Sequence, residues 1–189
     1  MKMCFLRSLL LLVLVCFVAG CATTQPVVSA NAPGANLSSI RSHLQTGDWL
    51  LSRSKDTTDD HPATKAEEPF AHAVIYDAKT DKVLLGERSG VRAIPLGEFL
   101  ADSHRVMGIR PVWATDLAAP EAVRRAWSLV GTVPVVGTNA PEQQHYCINF
   151  VTEVYKSFST VWTKGNPIPT VISPSSLTNW GRILFDIGS

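Results

Sequence analysis

Two short apolar runs with a polar quartet between them constrain the fold more than any other stretch of the chain. Phe70-Ala71-His72-Ala73-Val74-Ile75-Tyr76-Asp77 and Lys82-Val83-Leu84-Leu85-Gly86-Glu87 are rich in strand-forming residues, and Ala78-Lys79-Thr80-Asp81 between them has the composition of a turn. They are expected to fold back on each other as an antiparallel hairpin. The loop length then sets the register: Asp77 faces Lys82, Tyr76 faces Val83, Val74 faces Leu85 and His72 faces Glu87. Opposed residues point to the same side of a sheet with Cβ atoms about 4.5–5.5 Å apart, so an imidazole and a carboxylate come together. An odd-length loop or a bulge would separate them. Taken singly, His72 reads as a strand histidine satisfied by a backbone carbonyl, and Glu87 as a solvating charge at a sheet edge.

The stretch Gln144-His145-Tyr146-Cys147-Ile148-Asn149-Phe150-Val151 opens a helix. Counting from Cys147, apolar side chains recur at Phe150, Val151, Val154, Tyr155 and Phe158, while Thr152, Glu153, Lys156 and Ser157 take the other face. A thiol in that first turn lies among unpaired backbone N–H groups at the positive end of the helix dipole. These favour thiolate and can hold an oxyanion. A buried cysteine also packs like a small hydrophobe, so the helix alone leaves the role of Cys147 open. His145 is a rival base by proximity, but a residue just outside a helix start points away from the first-turn side chain, and its expected place is the pocket rim. Tyr146 is expected either to line the same cleft or to pack against a strand.

The first twenty residues combine Lys2 and Arg7 with the apolar run from Leu9 to Val18, the layout of a secretory signal peptide and too short for a good membrane span. The run closes on Val18-Ala19-Gly20-Cys21, which resembles the lipobox of bacterial lipoproteins. Cys21 is therefore the expected site of lipidation, and several acyl chains on one residue anchor a protein without a spanning helix. Ala22 as the second mature residue points to the outer membrane, with the protein on its periplasmic face. Residues 21–36 read as a lipidated flexible tether and 37–189 as one domain. Of the 17 basic and 16 acidic residues, the leader removes Lys2 and Arg7 and no acid, which leaves the mature part near neutrality and gives no argument for nucleic acid. Cys4 and Cys16 leave with the leader and Cys21 is spent on lipid, so Cys147 is the one thiol of the domain and no internal disulfide is expected. A lone cysteine in an oxidising compartment favours a catalytic role.

Elsewhere, Leu37 to Leu44 reads as a short helix with His43 on its surface, Trp49-Leu50-Leu51 as a strand launched by Thr46-Gly47-Asp48, and Ser52 to Pro69 as a polar loop. Within that loop Asp59-Asp60-His61 lacks a second ligand group at matching spacing, so no metal site is expected. A short helix follows through Glu98-Phe99-Leu100, with His104 as a turn residue before a strand from Arg105 to Arg110. Pro120 begins a helix that Gly131 ends, and Ile183-Leu184-Phe185 adds a last strand. No cofactor motif is present.

The order of a strand histidine, a carboxylate on the next strand and a later helix-start cysteine resembles the circularly permuted branch of the NlpC-type papain-like superfamily, and within it the YiiX/YebB-like proteins. The pieces that carry the resemblance are Gly47-Asp48, Phe70 to Tyr76, Glu87 with Gly90-Val91, Pro95-Leu96-Gly97-Glu98-Phe99 and Tyr146 to Val151, with Ser173-Pro174 and Leu177 in the tail. It implies an α+β papain-like fold, a small antiparallel sheet packed against helices with the cysteine at a helix N-terminus. It also implies Cys147 as nucleophile, His72 as base and Glu87 as the group that orients it. Ile148-Asn149 stands where relatives often carry Ser and Glu, and Ala73 where a bulkier residue is common. The function so implied is a lipid-anchored envelope hydrolase that cleaves amide bonds, with peptidoglycan stem peptides as the expected substrate. The alternatives are acyl transfer or hydrolysis on lipids, as in relatives of lecithin retinol acyltransferase, and a non-catalytic envelope binding protein.

Overall fold

The computed structural model describes residues 37–55, 68–133, 146–162 and 173–188, with side chains described through 155 in the third of these segments. The signal peptide, the tether with Cys21, the Asp59-Asp60-His61 trio and His145 lie outside the described residues. Among the described residues six strands form one sheet: β1 (Trp49–Ser54), β2 (His72–Asp77), β3 (Lys82–Glu87), β4 (Gly90–Pro95), β5 (Ser103–Pro111) and β6 (Gly181–Gly188). Their order is β4-β3-β2-β1-β5-β6, and every neighbouring pair is antiparallel. The fold class is the α+β arrangement that the sequence implies.

The hairpin has the expected register, with Asp77 opposite Lys82, Tyr76 opposite Val83 and Val74 opposite Leu85. The β2–β3 ladder ends there. Glu87 turns instead into a tight hairpin and pairs with Gly90 on β4, whose φ of +130° suits a residue without Cβ. His72 pairs across the other edge of β2, with Ser52 on β1. The expected pairing of His72 with Glu87 is therefore absent from the ladder, and two further expectations need correction here. Ser52 to Ser54 continue β1 rather than opening a loop, because β1 lies between β2 and β5 and both neighbours hold its backbone. His104 lies within β5 and not in a turn before it.

Strand alternation divides the core into two layers. Trp49, Leu51, Ala73, Ile75, Leu84 and Ile109 face one side, where they meet α3 (Ala118–Ser128), α4 (Tyr146–Trp162) and Leu177 of a 3₁₀ turn (Pro174–Trp180). Leu50, Val74, Tyr76, Val83, Leu85 and Val106 face the other, under α1 (Leu37–His43) and α2 (Leu96–Ala101). Helix α3 buries Ala118, Ala119, Ala122, Val123 and Ala126, a face of small side chains that lets it come close to its neighbours. Helix α4 buries Phe150, Val151, Val154 and Tyr155 on the expected stripe and Ile148 in addition, because it is covered by the sheet on one side and α3 on another. Each such large apolar side chain contributes about 1.5–3 kcal/mol when fully buried.

Both the middle of α4 and its first turn are pinned. The Tyr155 hydroxyl donates to the Gly47 carbonyl, and Gly47 holds a φ of +90° with its Cα against Ala119. Next to it Asp48 is completely buried and accepts two hydrogen bonds from Arg110, both at 2.9 Å, and one from the Gln45 amide at 2.7 Å. Burial pushes this carboxyl upward and the guanidinium opposes the shift. Gly86 lets the first turn of α4 lie on β3: a Cβ there would stand 2.5 Å from Phe150 Cβ and 2.9 Å from the Tyr146 carbonyl oxygen.

Gly86→Ala is therefore expected to destabilise the protein by about 1–3 kcal/mol in urea unfolding, through overpacking against backbone that cannot yield. Gly97→Ala in α2, whose added Cβ would meet only Leu37 at 3.6 Å, is expected to be neutral or stabilising by up to about 1 kcal/mol.

Candidate active site around Cys147

Cys147 is the second residue of α4 and is 8 % exposed. Its Sγ lies 3.9 Å from the carbonyl oxygen of Ala71 and close enough to the Ala73 amide to receive its hydrogen bond. The thiol thus rests against the two peptide groups that flank His72. The lead-in to this point is itself held. Ala71 donates to the Ser52 carbonyl at 2.8 Å, Phe70 is buried under the Arg105 guanidinium, and Glu68 accepts from the amide and hydroxyl of Ser175. The role of Glu68 has no signature in sequence, since its partner lies more than a hundred residues away.

The electrostatics of the sulfur differ from the expectation of a helix-stabilised thiolate. The N–H groups of Ala73, Ile148 and Cys147 do favour the anion, but removal from water outweighs them and pushes the thiol up from its ordinary value, and the Glu87 carboxylate pushes in the same direction. The free protein holds Cys147 protonated at neutral pH. Nucleophilic use of this sulfur requires a base that takes the proton during the reaction.

His72 opens β2 and is half-buried. Alternation turns Ala73 and Ile75 towards α4, and His72, Val74 and Tyr76 towards the opposite layer. There His72 and Glu87 line a common cavity of about 530 Å³. The structure therefore brings His72 and Glu87 to one cavity and Cys147 to the backbone on either side of His72. Residues 71–73 link the two groups: the thiol touches their peptide groups, and the imidazole grows from the middle residue.

Glu87 is less free than the sequence suggests. Its carboxylate accepts two hydrogen bonds from Arg92, each 2.7 Å, and a longer one of 3.3 Å from Ser89. Arg92 faces Leu85 across the β3–β4 ladder and so stands diagonal to Glu87 on the same face. The pair was legible once β4 is recognised as a strand. With side chains 55 % and 30 % exposed, it contributes less than about 1 kcal/mol to stability, but it orients the carboxylate. A carboxylate has about four lone-pair sites, so an Arg-bound Glu87 keeps acceptor capacity on its other edge.

The remaining expected residues are placed as follows. Tyr146 is half-exposed at the first position of α4. His43 is on the surface of α1, with its ring 6.4 Å from that of Phe185. No three His, Cys, Asp or Glu side chains among the described residues gather as a metal would require.

A family model described as permuted papain-like amidase enzymes, YaeF/YiiX, C92 family, matches residues 43–169, which include Cys147, His72 and Glu87. No curated protein matches the chain. Among solved structures, a metalloprotein YiiX from Escherichia coli O157:H7 has a similar fold, with a TM-score of 0.52 and 17 % identity over 75 % of this chain and 95 % of that one.

The raised thiol has a direct consequence. At pH 7 iodoacetamide is expected to alkylate Cys147 more slowly than a small model thiol, with the rate still climbing at pH values above 9.0, the ordinary thiol value. Mass spectrometry of the peptide carrying Cys147 measures it, and a plateau reached below pH 8 would show the thiolate to be favoured instead.

Proposed function

The chain belongs to the permuted papain-like amidase family, and as a cysteine hydrolase of that family we propose that it cleaves amide bonds of peptidoglycan stem peptides from a lipid anchor at Cys21 on the outer membrane. The observation that carries the reading is the seat of the Cys147 sulfur against the peptide groups of Ala71 and Ala73, the two neighbours of His72.

In the proposed reaction the His72 imidazole, carried by the first residue of β2, turns from its cavity around the strand end towards α4 and takes the proton of Cys147 as Sγ attacks the amide carbon. Glu87, steadied by Arg92, favours the tautomer that accepts this proton and stabilises the imidazolium. The N–H groups at the start of α4, which already point at the sulfur, offer donors for the oxyanion. Collapse of the tetrahedral intermediate breaks the C–N bond. The imidazolium gives its proton to the departing amine, and a thioester remains on Cys147. Water, deprotonated by the same imidazole, then attacks the thioester and regenerates the thiol.

The anchor supports the choice of substrate. A short leader ending in a lipobox-like Ala19-Gly20-Cys21 would hold the domain within tether reach of the wall. Incubation of the full chain with murein fragments, followed by mass spectrometry, is expected to reveal products heavier by one water in total. Cys147→Ser and His72→Ala are each expected to lower kcat/KM by about 10²–10⁴-fold or more, and Glu87→Gln to shift the acid limb of the pH profile downward as the imidazolium loses its partner. Cleavage undiminished by Cys147→Ser would contradict the thiol mechanism. Cleavage of phospholipid with murein untouched would overturn the substrate and leave the thiol chemistry standing.

A further inference from the structure

The sheet has two ends with different contents. At one stand His72, which opens β2, Glu87, which closes β3, and the first turn of α4, whose Tyr146 carbonyl lies against Gly86. At the other the chain enters the domain through α1. Arg41 of that helix donates to Asp81 in the β2–β3 turn, the His43 carbonyl accepts from Arg110 near the end of β5, and the Leu37 side chain lies beside Gly97 at the start of α2. The length of β3, roughly 17 Å at 3.3–3.4 Å per residue, separates the two ends.

The entry end also carries the loop from Pro111 to Leu117, which joins β5 to α3. Its inner side is fixed. Trp113 is buried against Trp49, Tyr155 and Trp180, the Ala114 amide donates to the Pro111 carbonyl at 3.0 Å, and the Ala118 amide donates to Thr115 Oγ1 at 3.1 Å. Its outer side is apolar. Val112 is 67 % exposed and Leu117 87 %, and they are the two most exposed large apolar side chains among the described residues. Ile183, 41 % exposed, stands near the start of the edge strand β6, just past the Trp180 carbonyl that receives the Val112 amide. A single exposed apolar residue is ordinary. Two on one held loop, with a third beside them, mark a surface that gains by leaving water.

We propose that this end of the domain rests on the bilayer, with Val112 and Leu117 seated in its interfacial layer and the reacting groups turned away from it. The inference rests on the lipid anchor at Cys21. The stretch from Cys21 to Leu37 spans about 55 Å at most, and it leads into α1 at the end that carries the loop. The contact is then made within one anchored molecule, where a weak affinity suffices. Charges bordering the loop are of both signs, Asp116 and the Glu121–Arg124 pair on one side and Arg182 on the other, so the contact draws on apolar burial and not on anionic headgroups. The orientation bears on substrate. Cys147 and the cavity of His72 lie at the end away from the bilayer, on the side of the wall, and away from the acyl chains of the membrane that carries the anchor.

The test reads which end touches lipid. The full chain is purified from membranes as Cys147→Ala, which leaves the mature chain without a thiol once Cys21 is acylated. A fluorophore is then placed through Ala114→Cys in the loop or through Arg88→Cys, an exposed position between β3 and β4 at the far end. Each protein is reconstituted into phosphatidylcholine vesicles containing nitroxide-bearing lipid, which quenches fluorophores at the membrane. Quenching at position 114 is expected to exceed that at 88 by about three-fold or more, and to be unchanged by salt or by added phosphatidylglycerol. Val112→Ser combined with Leu117→Ser is expected to bring position 114 down to the level of 88, with thermal melts confirming the fold. Equal quenching at the two positions, a difference that survives the double substitution, or one that appears only with phosphatidylglycerol would overturn the contact and leave the anchor and the hydrolase reading standing. Intact mass of the same preparation reports the acyl chains, and a Cys21 without them would overturn the anchor and the contact together.

Discussion

The close seat of the first turn of α4 on β2 and β3 is the constraint on which the rest depends. It needs a glycine at 86, where any side chain would strike Phe150 and the Tyr146 carbonyl. It also needs a small residue at 73, which is wholly buried beneath the helix. Together these lower the helix until the sulfur of Cys147 touches the peptide groups around His72. The Tyr155 bond to Gly47 fixes the helix two turns further along. Packing therefore positions the thiol, and the cost of that packing is a thiol held in its neutral form.

That neutral state gives the rest of the site its logic. A thiolate prepared in advance would need an electropositive pocket, whereas here burial and the Glu87 charge both oppose ionisation. Under the proposed chemistry a base is required at the moment of attack, and His72 is joined by backbone to the residues that the sulfur touches. The Glu87–Arg92 pair lines the same cavity as His72, in a geometry that two 2.7 Å hydrogen bonds define. The sheet divides the labour between its layers: α4 delivers the sulfur on one face, and the cavity under α2 gathers the polar groups on the other.

Much of this was legible in the residues. The four-residue loop at 78–81 dictated the register of the hairpin, and the stripe Phe150, Val151, Val154, Tyr155 dictated which face of α4 is buried. These are local patterns with a fixed period. What escaped was non-local. Ser52 reads as the start of a polar loop because its burial comes from strands that return to it only later in the chain, at His72 on one side and Val106 on the other. Arg92 gains its meaning only when Gly90 to Pro95 is known to be a strand, and Glu68 only when Ser175 folds back onto it. The sign of the shift on Cys147 was missed for the same reason: the helix end is visible in sequence, and the depth of burial is not.

The account comes down to one covalent bond. An activated ester of a stem peptide acylates quickly and makes hydrolysis of the intermediate the slow step, so acid quenching during its turnover traps whatever acyl-enzyme exists. Mass spectrometry of the quenched, digested chain is predicted to find the acyl group on the peptide containing Cys147, removable by hydroxylamine and absent when His72 is alanine. An adduct on any other residue, or acylation of Cys147 at full rate without His72, would contradict the account.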